Sequence, residues 1–150
     1  MSATLVSTLF CLVVAVSDGD SLIVRCGAPG PHATQRVRVV SIDAPESRQA
    51  FGQRSRQNLA ELCLRREATL RTQGHDAYGR LLAHVECGGQ DVAERQVAAG
   101  LAWVYAPQAG RYPGLTALQR QARASRTGLW SQKRPLAPWD YRRRNPYHHH

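Results

Sequence analysis

The feature that most constrains this chain is packed into its first 42 residues, where three apolar runs are separated by two turn signals. Phe10 to Val16 is rich in Val and Leu, Ser17-Asp18-Gly19-Asp20 interrupts it, and Ser21-Leu22-Ile23-Val24-Arg25 resumes. An Asp-Gly pair between such runs reads as strand, tight turn and strand, because these residues accept the backbone angles that reverse the chain. Gly27 to Pro31 is a Gly/Pro-rich loop. Gln35 to Ile42 then alternates arginine with valine or isoleucine, the period-2 pattern of a half-buried strand, and Asp43-Ala44-Pro45-Glu46 stops it.

Helical signals follow. The segment from about Gln49 to Leu64 has no proline and carries Leu59, Leu62 and Cys63 at helical spacing. Ala68 to Arg71 and Leu81 to Cys87 read as short strands, with Gly74 and Gly79 marking a turn-rich connection between them. Asp91 caps a second helix that runs to about Ala99 and ends at Gly100, and a third spans roughly Leu115 to Arg126. From Lys133 onward, three prolines and Arg142-Arg143-Arg144 predict a basic tail lying extended over the surface. Three strands, a helix, two strands and two helices form an α+β order, which a five-stranded barrel of the OB type with three helices accommodates. Residues 1–147 are read as one domain; His148, His149 and His150 read as a purification-tag remnant and are set aside.

Charge narrows the partner class. The chain has 20 basic residues against 11 acidic ones, a net charge of +9, and Lys133 is its one lysine. Such an excess concentrates polyanions, and arginine offers a planar fork that matches phosphate. Codon bias and solubility would give the same composition, so charge names a partner and no chemistry. No stretch approaches the roughly 20 apolar residues that cross a membrane. Ala3 to Val16 is apolar enough for a signal-peptide core, but no Lys or Arg precedes it. Its second half is taken as the first strand, in a chain from which any export signal has been removed. Cys11, Cys26, Cys63 and Cys87 lack CxxC spacing, which argues against zinc. Their even number fits two disulfides and an oxidising, exported or periplasmic setting, with buried free thiols as the competing reading.

Four of the 11 carboxylates fall in two clusters, Asp18 with Asp20 and Asp43 with Glu46. Like charges this close repel unless something neutralises them, and a hard cation such as Ca²⁺ or Mg²⁺ takes carboxylate, carbonyl and water oxygens. Turn chemistry accounts for the first cluster alone and helix capping for the second alone. Arg38 and Arg80 supply guanidinium donors of the kind that stabilise charge on a reacting phosphate. A solvated basic face is the plain alternative for both. Arg38 also has opposite parity to Asp43 along an ideal strand, so a bulge or strand end has to bring them to one site.

Four ordered motifs settle the choice. They are Val16-Ser17-Asp18-Gly19-Asp20-Ser21, Arg38-Val39-Val40-Ser41-Ile42-Asp43-Ala44-Pro45-Glu46, Asp76-Ala77-Tyr78-Gly79-Arg80, and Gly100-Leu101-Ala102-Trp103-Val104-Tyr105. Together they resemble the staphylococcal nuclease (thermonuclease) family, and Gly128-Leu129-Trp130 with Pro138-Trp139 resembles the close of its bacterial members. The likeness runs from about Cys11 to Trp139. It implies the OB-type barrel and a Ca²⁺-dependent endonuclease, Mg²⁺ remaining an alternative, that acts on DNA and RNA and leaves 3′-phosphate ends. Carried over position by position, Asp20, Asp43 and the carbonyl of Ala44 are metal ligands, and Asp18 is a carboxylate standing behind them. Glu46 takes the place of the proposed general base, and Arg38 and Arg80 those of the phosphate-binding arginines. Tyr78 and Tyr105 fall where tyrosines contact the nucleotide, and Trp103 where some relatives have a base-stacking tyrosine. Ser21 replaces a common Thr and keeps its hydroxyl. The resemblance also implies a Cys63–Cys87 bridge from the first helix to the fifth strand, while Cys11 and Cys26 sit on neighbouring strands of the first hairpin. A barrel that binds nucleic acid without cutting is the rival reading, and such barrels usually lose the carboxylates or arginines retained here. A disulfide-stapled interaction domain explains only the cysteines. A monomer is the default expectation.

Overall fold

The computed structural model describes residues 6–27 and 34–146. Most of the Gly/Pro-rich loop read at Gly27 to Pro31, the start of the Ala3 to Val16 segment, and the terminal histidines lie outside the described residues.

Strands β1 (Thr8–Asp18), β2 (Ser21–Cys26) and β3 (Thr34–Val39) form an antiparallel meander. On the other side of β1 lies β5 (Glu67–His75), followed by β6 (Leu81–Cys87). Parallel pairing of β3 with β6 then closes five strands into a barrel, as expected from the sequence. Closure leaves few free edges, and it needs bent strands. The ladder between β1 and β2 shifts register between Val13 and Ala15 and again between Val16 and Asp18, which bends β1. Alternate residues point inward: Val13, Val24, Val37, Val39 and Leu70 are buried in the barrel.

Helix α1 (Gly52–Cys63) presses Leu59 and Cys63 onto this core, each fully buried leucine of that kind contributing roughly 1.5–3 kcal/mol. Asp91 caps α2 (Val92–Ala98) as expected, its side chain accepting the Glu94 N–H. Helix α3 (Pro113–Ala124) packs on α2, and a short ladder joins β4 (Ile42–Asp43) to β8 (Trp103–Val104). A two-residue strand β7 (Gln90–Asp91) pairs antiparallel with the end of β6. Both expected disulfides are formed, Cys11–Cys26 across β1 and β2 and Cys63–Cys87 between α1 and β6. Among the described residues no helix is long and apolar enough to cross a membrane.

Three sequence expectations are corrected. The strand expected from Gln35 to Ile42 stops at Val39, because Ser41 adopts a left-handed φ of 76° and turns the chain so that Ile42 and Asp43 pair with β8. The strand expected at Ala68 to Arg71 runs on to His75, which pairs with Leu81 of β6 after a register shift beyond Thr72. The tail beyond Lys133 is not extended throughout: Pro138–Arg144 is a fourth helix, α4, in place of the three helices expected. Pro138 opens it, where a missing N–H costs nothing, and Asp140 near its start and the arginines near its end suit the helix dipole.

Candidate active site

The first turn is positioned by packing as much as by its own chemistry. A Cβ at Gly19 would lie 1.8 Å from the Ser55 hydroxyl of α1, so only glycine lets the turn sit there. Gln96 of α2, fully buried, donates to the Gly19 carbonyl at 2.7 Å and to the Ser55 carbonyl at 3.0 Å. Its own oxygen accepts from Asn58 at 2.7 Å. Within the turn, Asp18 accepts the Ser21 hydroxyl at 2.7 Å and the Asp20 N–H at 3.3 Å. Asp20 accepts the Ala44 N–H at 2.8 Å, which ties the β1–β2 turn to the chain after β4.

Ser21 pairs with Arg38 across β2 and β3, bringing the guanidinium beside the turn. Its Nη2 lies 3.4 Å from Asp20 and 3.6 Å from Asp43, while Nη1 donates to the Ile42 carbonyl at 2.9 Å. The kink at Ser41 thus supplies the strand end that the parity of Arg38 and Asp43 requires. Glu46 follows in a tight turn closed by a Gln49 N–H to Glu46 carbonyl bond of 2.9 Å. Gly52 leaves room there, since a Cβ on it would meet the Glu46 carbonyl oxygen at 2.0 Å. Arg80 arrives from the turn before β6, its Nε 2.7 Å from Asp76 and its guanidinium over the Tyr78 ring.

These side chains meet in an open cleft of about 500 Å³. Asp18, Asp20, Asp43 and Glu46 are all buried, Asp43 keeping only 1 % of its surface. Burial pushes the Asp20 carboxyl up to about 7, against the pull of Arg38 and with the added repulsion of Asp18. Burial also raises Asp43, although Arg142 hydrogen-bonds it. Asp18 is desolvated too, yet its bonds with Asp20 and Ser21 hold it below the usual carboxylate range. The cleft therefore holds more buried negative charge than Arg38 alone offsets.

Comparison with known proteins decides the family. Residues 36–132 match the staphylococcal nuclease homologue family. The chain belongs to it. An uncharacterized endonuclease of Haemophilus influenzae is 38% identical over 133 residues, covering 89% of this chain and 72% of that protein. Protein ParB of Escherichia coli is 39% identical over 142 residues, 87% of this chain and 77% of its own. A micrococcal nuclease of Shigella flexneri is 38% identical over 146 residues, covering 87% and 79% respectively. With membership of the nuclease family comes the enzyme class, a hydrolase of phosphodiester bonds.

Within the nuclease cleft stand Asp18, Asp20, Arg38, Asp43, Ala44, Glu46, Tyr78, Arg80 and Tyr105, all singled out in the sequence. Trp103 does not line it. It pairs with Asp43 across β4 and β8, and its ring lies between Trp130, 4.5 Å away, and Trp139, 5.5 Å away, one layer behind the wall. Sequence reading missed the residues that α4 delivers. Arg142 donates to both oxygens of Asp43, at 2.7 and 3.1 Å, and to Glu46 at 2.8 Å. These contacts raise the Arg142 pKa further, Asp43 contributing most. Trp139 and Arg143 also line the cleft. The one signal available was the Pro-Trp-Asp start of a helix followed by arginines, and it did not say where that helix would dock.

Proposed function

We propose that this chain is a divalent-cation-dependent endonuclease, using Ca²⁺, that hydrolyses DNA and RNA by attack of water at phosphorus and leaves 3′-phosphate ends. The observation that carries the reading is the convergence of four buried carboxylates with Arg38, Arg80 and Arg142 in one open cleft of a strongly basic protein. The donor set fits a hard cation, since Asp20, Asp43 and the Ala44 carbonyl offer oxygen alone. Among the described residues, no group of three or more His, Cys, Asp or Glu side chains could enclose an ion unaided. Carbonyl and water ligands would complete the shell, as Ca²⁺ and Mg²⁺ accept and zinc sites of cysteine and histidine do not. Burial raises Asp20 and Asp43 even with Arg38 and Arg142 beside them, so further positive charge at this pair would favour their ionised forms.

Such a cation, when bound, supplies positive charge to the buried carboxylates and polarises the phosphate. The protein's own groups do the rest. Glu46 accepts the proton of the attacking water, and Arg38 and Arg80 donate to the phosphoryl oxygens as charge grows on them. Asp18 holds Ser21 and the Asp20 backbone, fixing the turn that carries Asp20. Tyr78, 72% exposed, and Tyr105 present rings to the nucleotide. The two disulfides suit an oxidising compartment, so the enzyme acts outside the cytoplasm.

The test is cleavage of single- and double-stranded DNA and of RNA with Ca²⁺, with Mg²⁺ and with chelator, comparing the wild type with Glu46→Ala. Cutting should require metal and fall by about 10²–10⁴-fold in the variant. End-labelled products should keep phosphate on the 3′ side. Nucleic acid that binds but stays intact under every condition would leave a barrel that holds its ligand and does no chemistry.

A further inference from the structure

A second groove lies behind the aromatic wall of the cleft, with a volume of about 350 Å³. Three cations line it: Arg123 from the last turn of α3, Arg126 from the left-handed turn that follows, and Lys133, the chain's one lysine. Trp130, Ser131, Gln132 and Pro135 complete the lining. The contrast with the catalytic cleft lies in the counter-charges. No acidic residue lines this groove, and none of the three cations takes part in an ion pair among the described residues. The negative end of the α3 dipole accounts for Arg123 and Arg126 near that terminus. It does not account for Lys133 or for the absence of carboxylates. The Ser131 hydroxyl already donates to the Gly128 carbonyl at 2.7 Å, but a concave surface with three uncompensated cations and an amide is a donor set that a chain of phosphates satisfies.

Its position relative to the cleft is fixed by ring contacts. Trp130 lies under the Arg123 guanidinium at 4.8 Å and touches Trp103 at 4.5 Å. Trp103 touches Trp139 at 5.5 Å, and Trp139 faces Tyr105 at 6.4 Å; these last two line the cleft. Two ring contacts, Trp130 with Trp103 and Trp103 with Trp139, therefore join the floor of one groove to the wall of the other.

We infer that this groove binds the phosphodiester backbone of the substrate strand beyond the phosphate being cut, as a second anchoring site. That the polyanion is nucleic acid rests on the nuclease reading; that the groove takes a polyanion rests on its own charges. The site holds long substrates and leaves the bond-breaking step alone. Three phosphate contacts on a single strand add about 2 to the steepness with which log affinity falls against log salt.

The test measures anisotropy of a labelled, long oligodeoxythymidylate with Glu46→Ala protein in chelator, across a salt series. Substituting Arg123→Gln, Arg126→Gln and Lys133→Gln together should weaken binding and flatten that slope by about 2. Lys133→Gln alone, on an exposed side chain that folding does not need, should flatten it by about 0.7. The control removes three exposed arginines elsewhere, Arg66→Gln, Arg71→Gln and Arg95→Gln, and should leave the slope nearly unchanged. In the active background, the groove variant should raise KM for the long strand and leave cleavage of a dinucleotide as it was. Equal weakening by both triple variants would overturn the site, because net charge alone would then explain the binding. A wild type that cuts nothing, while the two triple variants still differ in binding, would sink the catalytic reading and leave the groove standing.

Discussion

The two walls of the cleft are built by different means. On one side, Asp18, Asp20, Arg38 and Asp43 are held by the barrel: a hairpin turn, a cross-strand pair and a backbone kink fix each side chain within a few residues of regular ladder. On the other, Arg142 comes from α4, and its bonds to Glu46 and Asp43 span 96 and 99 residues of sequence. That wall is joined to the barrel through side chains: Arg142 itself, Trp139 against Trp103, and Gln49 donating to the Leu136 carbonyl at 2.6 Å. The barrel wall is therefore rigid and over-supplied with negative charge. The helix wall brings a positive group to it from a separate element, through side-chain contacts.

If the barrel wall is strained by its own charge, relieving that charge should stabilise the protein while removing its chemistry. Asp20→Asn is the largest effect expected. The Asp20 carboxyl stands at about 7 rather than near its usual value of 3.8, so the folded state binds the proton more tightly than the unfolded chain. Stability is then fully present below the unfolded value and is lost as pH rises through about 7. In chelator near neutral pH, Asp20→Asn should raise unfolding stability by on the order of 2–4 kcal/mol and abolish the decline with pH that Asp20 causes. Cleavage should disappear. Urea melts at several pH values check the first claim, and a variant less stable than the wild type would show that the arginines already neutralise the turn. This opposition between stability and activity is what a preorganised charged site produces.

The rigidity of the same wall is tested through its staple to the first helix. Cys63–Cys87 closes a separation of 24 residues and holds α1, which carries Ser55, against the barrel. Replacing both cysteines with alanine should cost about 2–4 kcal/mol. Because Ser55 and Gln96 seat the Gly19 turn, activity should fall more than the folded fraction does. An enzyme destabilised but equally active per folded molecule would show that the turn is held by the barrel alone.

How much of this was legible follows the same division. The Asp-Gly turn, the Asp43 and Glu46 cluster and the cysteine bridge of the first hairpin could be read from residues close in sequence or on adjacent strands. The roles of Arg38 and Arg80 were legible only through the family resemblance, their spacing alone being equally that of a solvated basic face. The kink at Ser41 was not legible, since a serine at positive φ leaves no pattern and is imposed by the β4–β8 pairing and the Gln108 side chain that accepts its N–H. Trp103 was assigned by its place in a motif, yet its ring packs against Trp130 and Trp139, contacts that come from residues about 27 and 36 positions further along the chain. The tail was misread because three prolines and an arginine run suggest an extended chain, when Pro138 in fact begins a helix. Even with that helix foreseen, the partners of Arg142 lie about a hundred residues away, and no local periodicity encodes such a contact.

The helix wall supplies the smallest of the three effects and the most direct test of the division. Arg142 donates to both oxygens of Asp43, so its guanidinium competes with a cation for that carboxylate. The apparent affinity for the cation is then reduced by the fraction of molecules in which Arg142 stays in place. Arg142→Gln should tighten Ca²⁺ binding about tenfold, the equivalent of about 1.4 kcal/mol, near the lower end for hydrogen bonds to charged groups. Without the cation it should cost a similar amount of stability, because Asp43 and Glu46 lose their nearest counter-charge. Arg144→Gln removes the same charge from an exposed position on the same helix and should change neither quantity. Calorimetric titration with Ca²⁺, paired with urea melts in chelator, separates the alternatives. Weaker Ca²⁺ binding in Arg142→Gln would mean that the guanidinium orients Asp43 for the cation, and the two walls would then have to be regarded as a single rigid unit.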